Sequence, residues 1–262
     1  VYHAGLEVVR RAAGDDTYLL TSSGPSVHNT GFADAARTGS DFGEGRALYR
    51  DSYFYPATFV INGTGFWTGP GWALRNQAAA YYTHRRLYLN DSGNVLTVDS
   101  PIPRSDAEIH ATIHVMSGGP SMIGDDIDRI ADDRLALIKA TLPRPREVAR
   151  PVDLFSSVYP DYPKVFHRRV EKPGGRYDVV AVYNFDESPL SQTVALADVV
   201  ADVDRSRDRT FVLWEFWNRE YLGTIKTEFT ASVPPRSVRV YRITEAMHPV
   251  IAGTDMHILM GE

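Results

Sequence analysis

The chain has 262 residues, with 33 acidic and 28 basic side chains, a formal charge of -5 and a pI near 5.9. That length suffices for one or two packed domains, while the acidic balance and the lack of a basic run argue against a nucleic-acid partner. Cysteine is absent, which excludes disulfides, thiolate metal sites and a cysteine nucleophile, and no apolar run approaches the ~20 residues a membrane span needs.

The first apolar spacing, Leu6, Val8, Val9 and Ala12-Ala13, predicts a helix that stops at Gly14-Asp15. Residues 17–20 (TYLL) read as a buried strand that ends in Ser22-Ser23-Gly24-Pro25, and residues 33–41 as a second short strand. A loop rich in Gly, Tyr and Trp follows from Phe42 to about Gly71, and a helix is expected over 72–82. A third strand is expected at 86–89, a helix at 106–116, a fourth short strand at 121–123 and an amphipathic helix at 127–141. Alternating strands and helices imply a parallel sheet with crossover connections, an α/β fold.

After Pro143-Arg144-Pro145 the hydrophobic period falls to two. Residues 176–185, 192–196, 210–216, 223–230 and 237–243 are alternating segments separated by turn residues, the pattern of an antiparallel β-sandwich. Expected organisation is therefore an α/β region over 1–142, a proline-rich linker at 143–150 and an all-β domain over 151–262.

The polar residues that follow the strands carry the chemistry. Arg37-Thr38-Gly39-Ser40-Asp41 sets an arginine four positions before an acid at the end of a strand. A glycosidase needs such a carboxylate to exchange a proton with a sugar oxygen. Then come Arg75-Asn76, Asn90-Asp91, and Ser117-Gly118-Gly119-Pro120 leading to Gly124-Asp125-Asp126. In this order the motifs resemble the second half of the catalytic barrel of the α-galactosidase group, glycoside hydrolase families 27 and 36. That pattern has an R-x-G-x-D acid, an Asn-Asp turn, and a Gly-Gly-Pro strand leading to Gly-Asp-Asp. The resemblance implies strands five to eight of a (β/α)8 TIM-type barrel plus a C-terminal β-sandwich, and hydrolysis of terminal α-linked sugars from oligosaccharides with retention.

The same resemblance assigns roles. Asp41 becomes the general acid/base, and Arg37 contacts substrate hydroxyls while holding the neighbouring carboxylate's pKa down. Ser22, with Ser23, stands where family 36 often has a pocket-lining cysteine before Gly-x-Pro, a departure that bears on galactose specificity. Asn90 and Asp91 match the family's Asn-Asp and fall on the substrate side, although Ser92-Gly93 replaces its Pro-Asp. No cofactor or metal is implied. Asp125-Asp126 are expected to cap the helix that follows them. His110 and His114 share a helix face at i,i+4, but there is no glutamate between them and no third ligand, so they do not make a zinc site. Trp214 and Trp217 are expected in the core or between domains.

A retaining glycosidase needs a second carboxylate as nucleophile, about 5–5.5 Å from the acid. The family's Lys-x-Asp nucleophile motif precedes the helix that here begins near Val1, and no such motif ends a strand in this chain. The chain is thus expected to be a fragment, cut also within a strand-like segment at 257–262. The alternative is a non-catalytic carbohydrate-binding or accessory protein built on the same half-barrel and sandwich.

Overall fold

A computed structural model describes residues 1–22, 26–39, 68–92, 95–158, 161–172, 175–200, 209–247 and 249–261. Helix α1 (Tyr2–Ala13) ends at Gly14, whose φ of 81° suits a residue without Cβ. The helix buries no residue, and Val8 and Val9 are exposed. Strand β1 (Leu20–Thr21) is shorter than the expected 17–20 and only half-buried. Strand β2 (Ala35–Arg37) lies inside the expected 33–41.

Helix α2 (Thr68–Ala80) begins four residues before Trp72, with Pro70 in its first turn, where a missing N–H costs nothing. Strand β3 (Leu89–Asp91) lies three residues later than 86–89. Arg85 takes a left-handed φ of 59°, and the turn it makes consumes Arg86 and Leu87. Strands β1, β2 and β3 pair in parallel in that order.

Strand β4 (Val95–Leu96), helix α3 (Arg104–Ser117) and strand β5 (Met122–Ile123) form the next unit, with β4 and β5 parallel. Two residues are too few to show a period, so β4 has no sequence signature. Helix α4 (Asp132–Lys139) is shorter than the expected 127–141. Residues before it turn instead, with Arg129 and Ile130 N–H donating to the Asp126 carbonyl. Asp125 therefore caps no helix. Its carboxylate accepts the N–H of Val98 at 2.8 Å and Asp99 at 3.3 Å, fastening the exit of β4.

The C-terminal part contains β6 (Arg150–Pro151), β7 (Val165–Lys172), β8 (Gly175–Asn184), β9 (Leu190–Ala195), a helical turn α5 (Leu196–Val199), β10 (Phe211–Glu215), β11 (Glu220–Ile225), β12 (Glu228–Val233) and β13 (Ser237–Glu245). One antiparallel sheet runs β11-β10-β13-β8-β7-β6, and β12 pairs with β9. Val180, Val182, Leu213 and Tyr241 pack with Val194, Phe229 and Val233 of the smaller sheet. The expected strand over 223–230 is two strands that meet at Lys226-Thr227. Strand β7 escapes the alternating pattern because Arg168 points inward, its guanidinium donating to the Glu147 carbonyl at 3.0 Å.

The last residues are not strand. Ile258, Leu259 and Met260 lie in buried turns, with Ile258 N–H donating to the Ala140 carbonyl at 3.0 Å. Leu74, Ile109 and Met116 share one core with Phe166, Tyr183 and Val240, which joins the helical and β parts. Trp217 adds an indole N–H bond to Thr112 Oγ1 at 3.2 Å. No helix among the described residues is long and apolar enough to cross a membrane.

His110 and His114 are both fully buried on α3 and turn Nδ1 toward the carbonyls of Thr97 and His110. Burial pushes the His110 pKa from 6.5 down to about 4. The folded state resists a proton that the unfolded chain accepts, so this stability is present above pH 6.5 and lost as pH falls toward 4. Relative to a His110→Gln variant, the protein should lose about 2 kcal/mol between pH 8 and pH 5. Urea titrations at both pH values measure it, and a difference independent of pH would show that His110 does not couple to folding.

Candidate active site

The three parallel strands end side by side. Thr21 pairs with Ala36 and Ala36 with Asn90, while Arg37 pairs with Asp91. Ser22, Arg37 and Asp91 therefore reach one edge of the sheet, the carboxyl side on which α/β enzymes build their sites. Ser22 is exposed, Arg37 half-buried and Asp91 buried. Asp41, the expected acid/base, lies outside the described residues.

Backbone contacts weld β2 to β3. Thr38 donates to the Asp91 carbonyl twice, from N–H at 2.7 Å and from Oγ1 at 3.0 Å. Arg37 Nε donates to the Gly39 carbonyl at 2.9 Å, folding its side chain over the turn that follows the strand. Gly39 itself lies on the backbone of Ser92, where a Cβ would collide with the carbonyl. The chain thus leaves β2 in a fixed direction.

Asn90 is fully buried, its amide committed to the protein: Oδ1 accepts from Thr83 Oγ1 at 2.9 Å, and Nδ2 donates to the Ala80 carbonyl at 2.9 Å. Its backbone N–H donates to His84 Nδ1 at 3.1 Å. That nitrogen carries no proton, so Nε2 holds the hydrogen and donates to the Arg146 carbonyl at 3.0 Å. Burial keeps the imidazole pKa below its ordinary value, which suits this neutral tautomer.

Arg144 feels the charge of Asp91. It donates Nη2 to the His114 and Gly119 carbonyls, and burial lowers its pKa to about 10, with Asp91 pulling the other way. The carboxylate and the guanidinium are thus within electrostatic reach of each other. Thr83, His84 and Arg144 have no motif that marks them. Arg144 sits in the proline-rich stretch, which reads as linker, and its partners are carbonyls that no side-chain pattern reveals. Arg75, by contrast, faces the sandwich, 6.0 Å from the Tyr162 ring centre, and Asn76 is exposed.

Gly118 and Gly119 explain themselves by space. Gly118 closes α3 with a φ of 68°, and a Cβ on Gly119 would strike the Asn90 carbonyl. Because backbone rather than a flexible side chain blocks the space, Gly119→Ala should cost about 3 kcal/mol, the upper part of the overpacking range. Chemical unfolding measures this, and an undiminished midpoint would mean that Gly119 is not held against β3. Among the described residues no group of three His, Asp or Glu side chains could hold a metal ion.

No family model matches the sequence. Solved structures share its fold. α-Galactosidase I from Mortierella vinacea superposes with a TM-score of 0.63 at 19% identity, over 84% of this chain and 55% of that one. A family-27 β-L-arabinopyranosidase from Geobacillus stearothermophilus gives 0.65 at 14% identity, over 95% and 55%. The isomalto-dextranase of Arthrobacter globiformis T6, complexed with panose, gives 0.59 at 17% identity, over 94% and 41%. The chain spans about half the length of the solved structures it matches, and they include the α-galactosidases that its motifs resemble.

Proposed function

We propose that this chain is the C-terminal part of a retaining glycoside hydrolase of α-galactosidase type, comprising the second half of a (β/α)8 barrel and a β-sandwich. The boundary falls at the proline-rich residues 143–150. Asp41 acts as general acid/base, Arg37 and Ser22 meet the sugar hydroxyls, and Asn90 and Asp91 form the substrate side of the third strand. The nucleophile belongs to a strand outside these residues. One observation carries the reading: a parallel register that delivers Ser22, Arg37 and Asp91 to one sheet edge, in a fold shared with glycosidases. The buried bonds of Asn90 make its contribution support of that edge. The solved structures that share the fold differ in the sugar they are named for, so galactose is the reading favoured by motif order.

The test compares two proteins on aryl glycosides of α-galactose, β-L-arabinopyranose and α-glucose. Residues 1–262 alone should give no turnover above buffer, because one carboxylate cannot form and resolve a glycosyl-enzyme intermediate. The complete reading frame that encodes them should hydrolyse one of the three. Turnover by 1–262 that Asp41→Ala abolishes would place both carboxylates within the chain. Sugar binding without turnover by the complete protein would favour the accessory role.

A further inference from the structure

The sandwich has a groove of about 790 Å³ at the end of its large sheet, where β7 stops, β8 and β10 start and the last turns of β13 meet residues 249–261. That volume suits a small ligand rather than a polymer. Among the described residues, five bases line it, Arg169, Lys172, Arg176, Arg209 and Arg242, with two carboxylates, Asp178 and Glu245. Both acids are already engaged. Arg209 grips Glu245 with two bonds of 2.7 and 2.6 Å. Arg169 and His167 converge on Asp178, with Nε and Nε2 at 3.1 and 2.8 Å from the same oxygen. In a chain whose net charge is -5, bases outnumber acids among the described residues of this lining.

Arg242 is the most telling of these bases. Its residue is only 8% exposed, and its guanidinium stacks on the Tyr177 ring at 3.9 Å. Nε donates to Thr244 Oγ1 at 2.9 Å and Nη1 to the Met260 carbonyl at 2.6 Å. Every one of these partners is neutral. A guanidinium does not give up its proton, so the usual escape of a buried charge is closed to it, and buried charges are ordinarily matched by an opposite one. Arginine offers five N–H donors in a planar fork suited to carboxylate, sulfate and phosphate oxygens, and these bonds use two. Lys172, which also lines the groove, donates Nζ to the Gly261 carbonyl, again a neutral acceptor. The lining also includes apolar Met247, Pro249 and Ile251, with Met247 and Ile251 well exposed.

We propose that this groove binds a small organic anion, its carboxylate or phosphate head held by Arg242 with Lys172 and Arg176, and its apolar body lying along Met247, Pro249 and Ile251. The site is independent of Asp41 and of the glycosidase reading.

Isothermal titration of the full chain with hexyl phosphate, hexanoate, inorganic phosphate and 1-hexanol tests it. At least one of the two alkyl anions should bind saturably with a sub-millimolar Kd, and the tighter of them identifies the preferred head. Hexanol should bind at least about tenfold more weakly for want of charge, and inorganic phosphate about tenfold more weakly than hexyl phosphate for want of an apolar body. Arg242→Gln and Lys172→Ala should each weaken the preferred anion by about tenfold, since both remove a charge-assisted bond. Lys172 is exposed, so its variant keeps the fold and decides the matter if Arg242→Gln unfolds. No saturable binding of either alkyl anion, equal affinity for hexanol, or unchanged affinity in Lys172→Ala would overturn the proposal. Phosphate binding as tightly as hexyl phosphate would remove its apolar half.

Discussion

Asp41→Asn, made in the protein encoded by the complete reading frame, should lower hydrolysis of natural oligosaccharides by roughly 10²–10⁴-fold, the usual worth of a positioned acid/base. The two chemical steps should suffer unequally. A poor sugar leaving group needs a proton, so glycosylation of oligosaccharides slows. An activated aryl leaving group departs without one, so that step survives while water, lacking its general base, attacks the intermediate slowly. The covalent intermediate should then accumulate and give a burst of aryl alcohol. Azide, which needs no base, should restore turnover and yield a glycosyl azide of the starting anomeric configuration. Near-normal activity of Asp41→Asn on oligosaccharides would reduce Asp41 to a loop residue and leave the edge formed by Ser22, Arg37 and Asp91 without its acid.

Much of this edge is legible in sequence because it depends on order rather than on boundaries. Arg37 and Asn90-Asp91 each belong to a short apolar segment, and parallel pairing needs only that such segments recur between helices. Their positions within the strands are another matter. The apolar run at 86–89 looks like the strand, yet the left-handed backbone at Arg85 turns it outward and passes pairing to Leu89–Asp91. Asn90 thereby changes from a turn residue into a buried strut between α2 and β3. A single residue with positive φ, for which arginine has no particular propensity, causes the shift.

The same physics separates what the motifs mark from what holds them in place. Gly118-Gly119 is visible as a pair, and close approach to Asn90 and Glu147 accounts for both glycines. Arg144 and His84 are invisible, because each works by donating to backbone carbonyls that any residue supplies. In the sandwich, alternation reveals β8, β10 and β13, whose side chains alternate between two faces. It hides β7, where inward Arg168 breaks the pattern, and it merges β11 with β12, where a two-residue turn lacks glycine.

Glu215→Ala should destabilise the protein by about 3 kcal/mol, because it leaves one buried and two part-buried N–H groups without their acceptor, each worth roughly 1–3 kcal/mol at full burial and not fully additive. Glu215 is 2% exposed at the end of β10. Oε1 accepts the N–H of Trp217 and of Val240, both at 3.1 Å, and Oε2 accepts that of Asn218 at 2.7 Å. One carboxylate thus ties the turn at 216–219 to β13 and aims Trp217 at Thr112 of α3, so its loss should also loosen the joint between the two halves of the molecule. Glu215→Gln keeps an oxygen for the Trp217 and Val240 bonds but sets an NH₂ against the Asn218 N–H, and should cost about half as much. The two variants also separate by pH. Burial raises the Glu215 pKa above 4.5 despite the three donors, so protonation favours the folded state. That contribution is full below pH 4.5 and lost as pH rises through the folded pKa, the reverse of the His110 effect. The wild type should therefore gain on Glu215→Gln as pH falls toward 4.5, in urea titrations followed by tryptophan fluorescence. A Glu215→Ala loss under about 1 kcal/mol would mean that water reaches those amides and that the turn is not a strut.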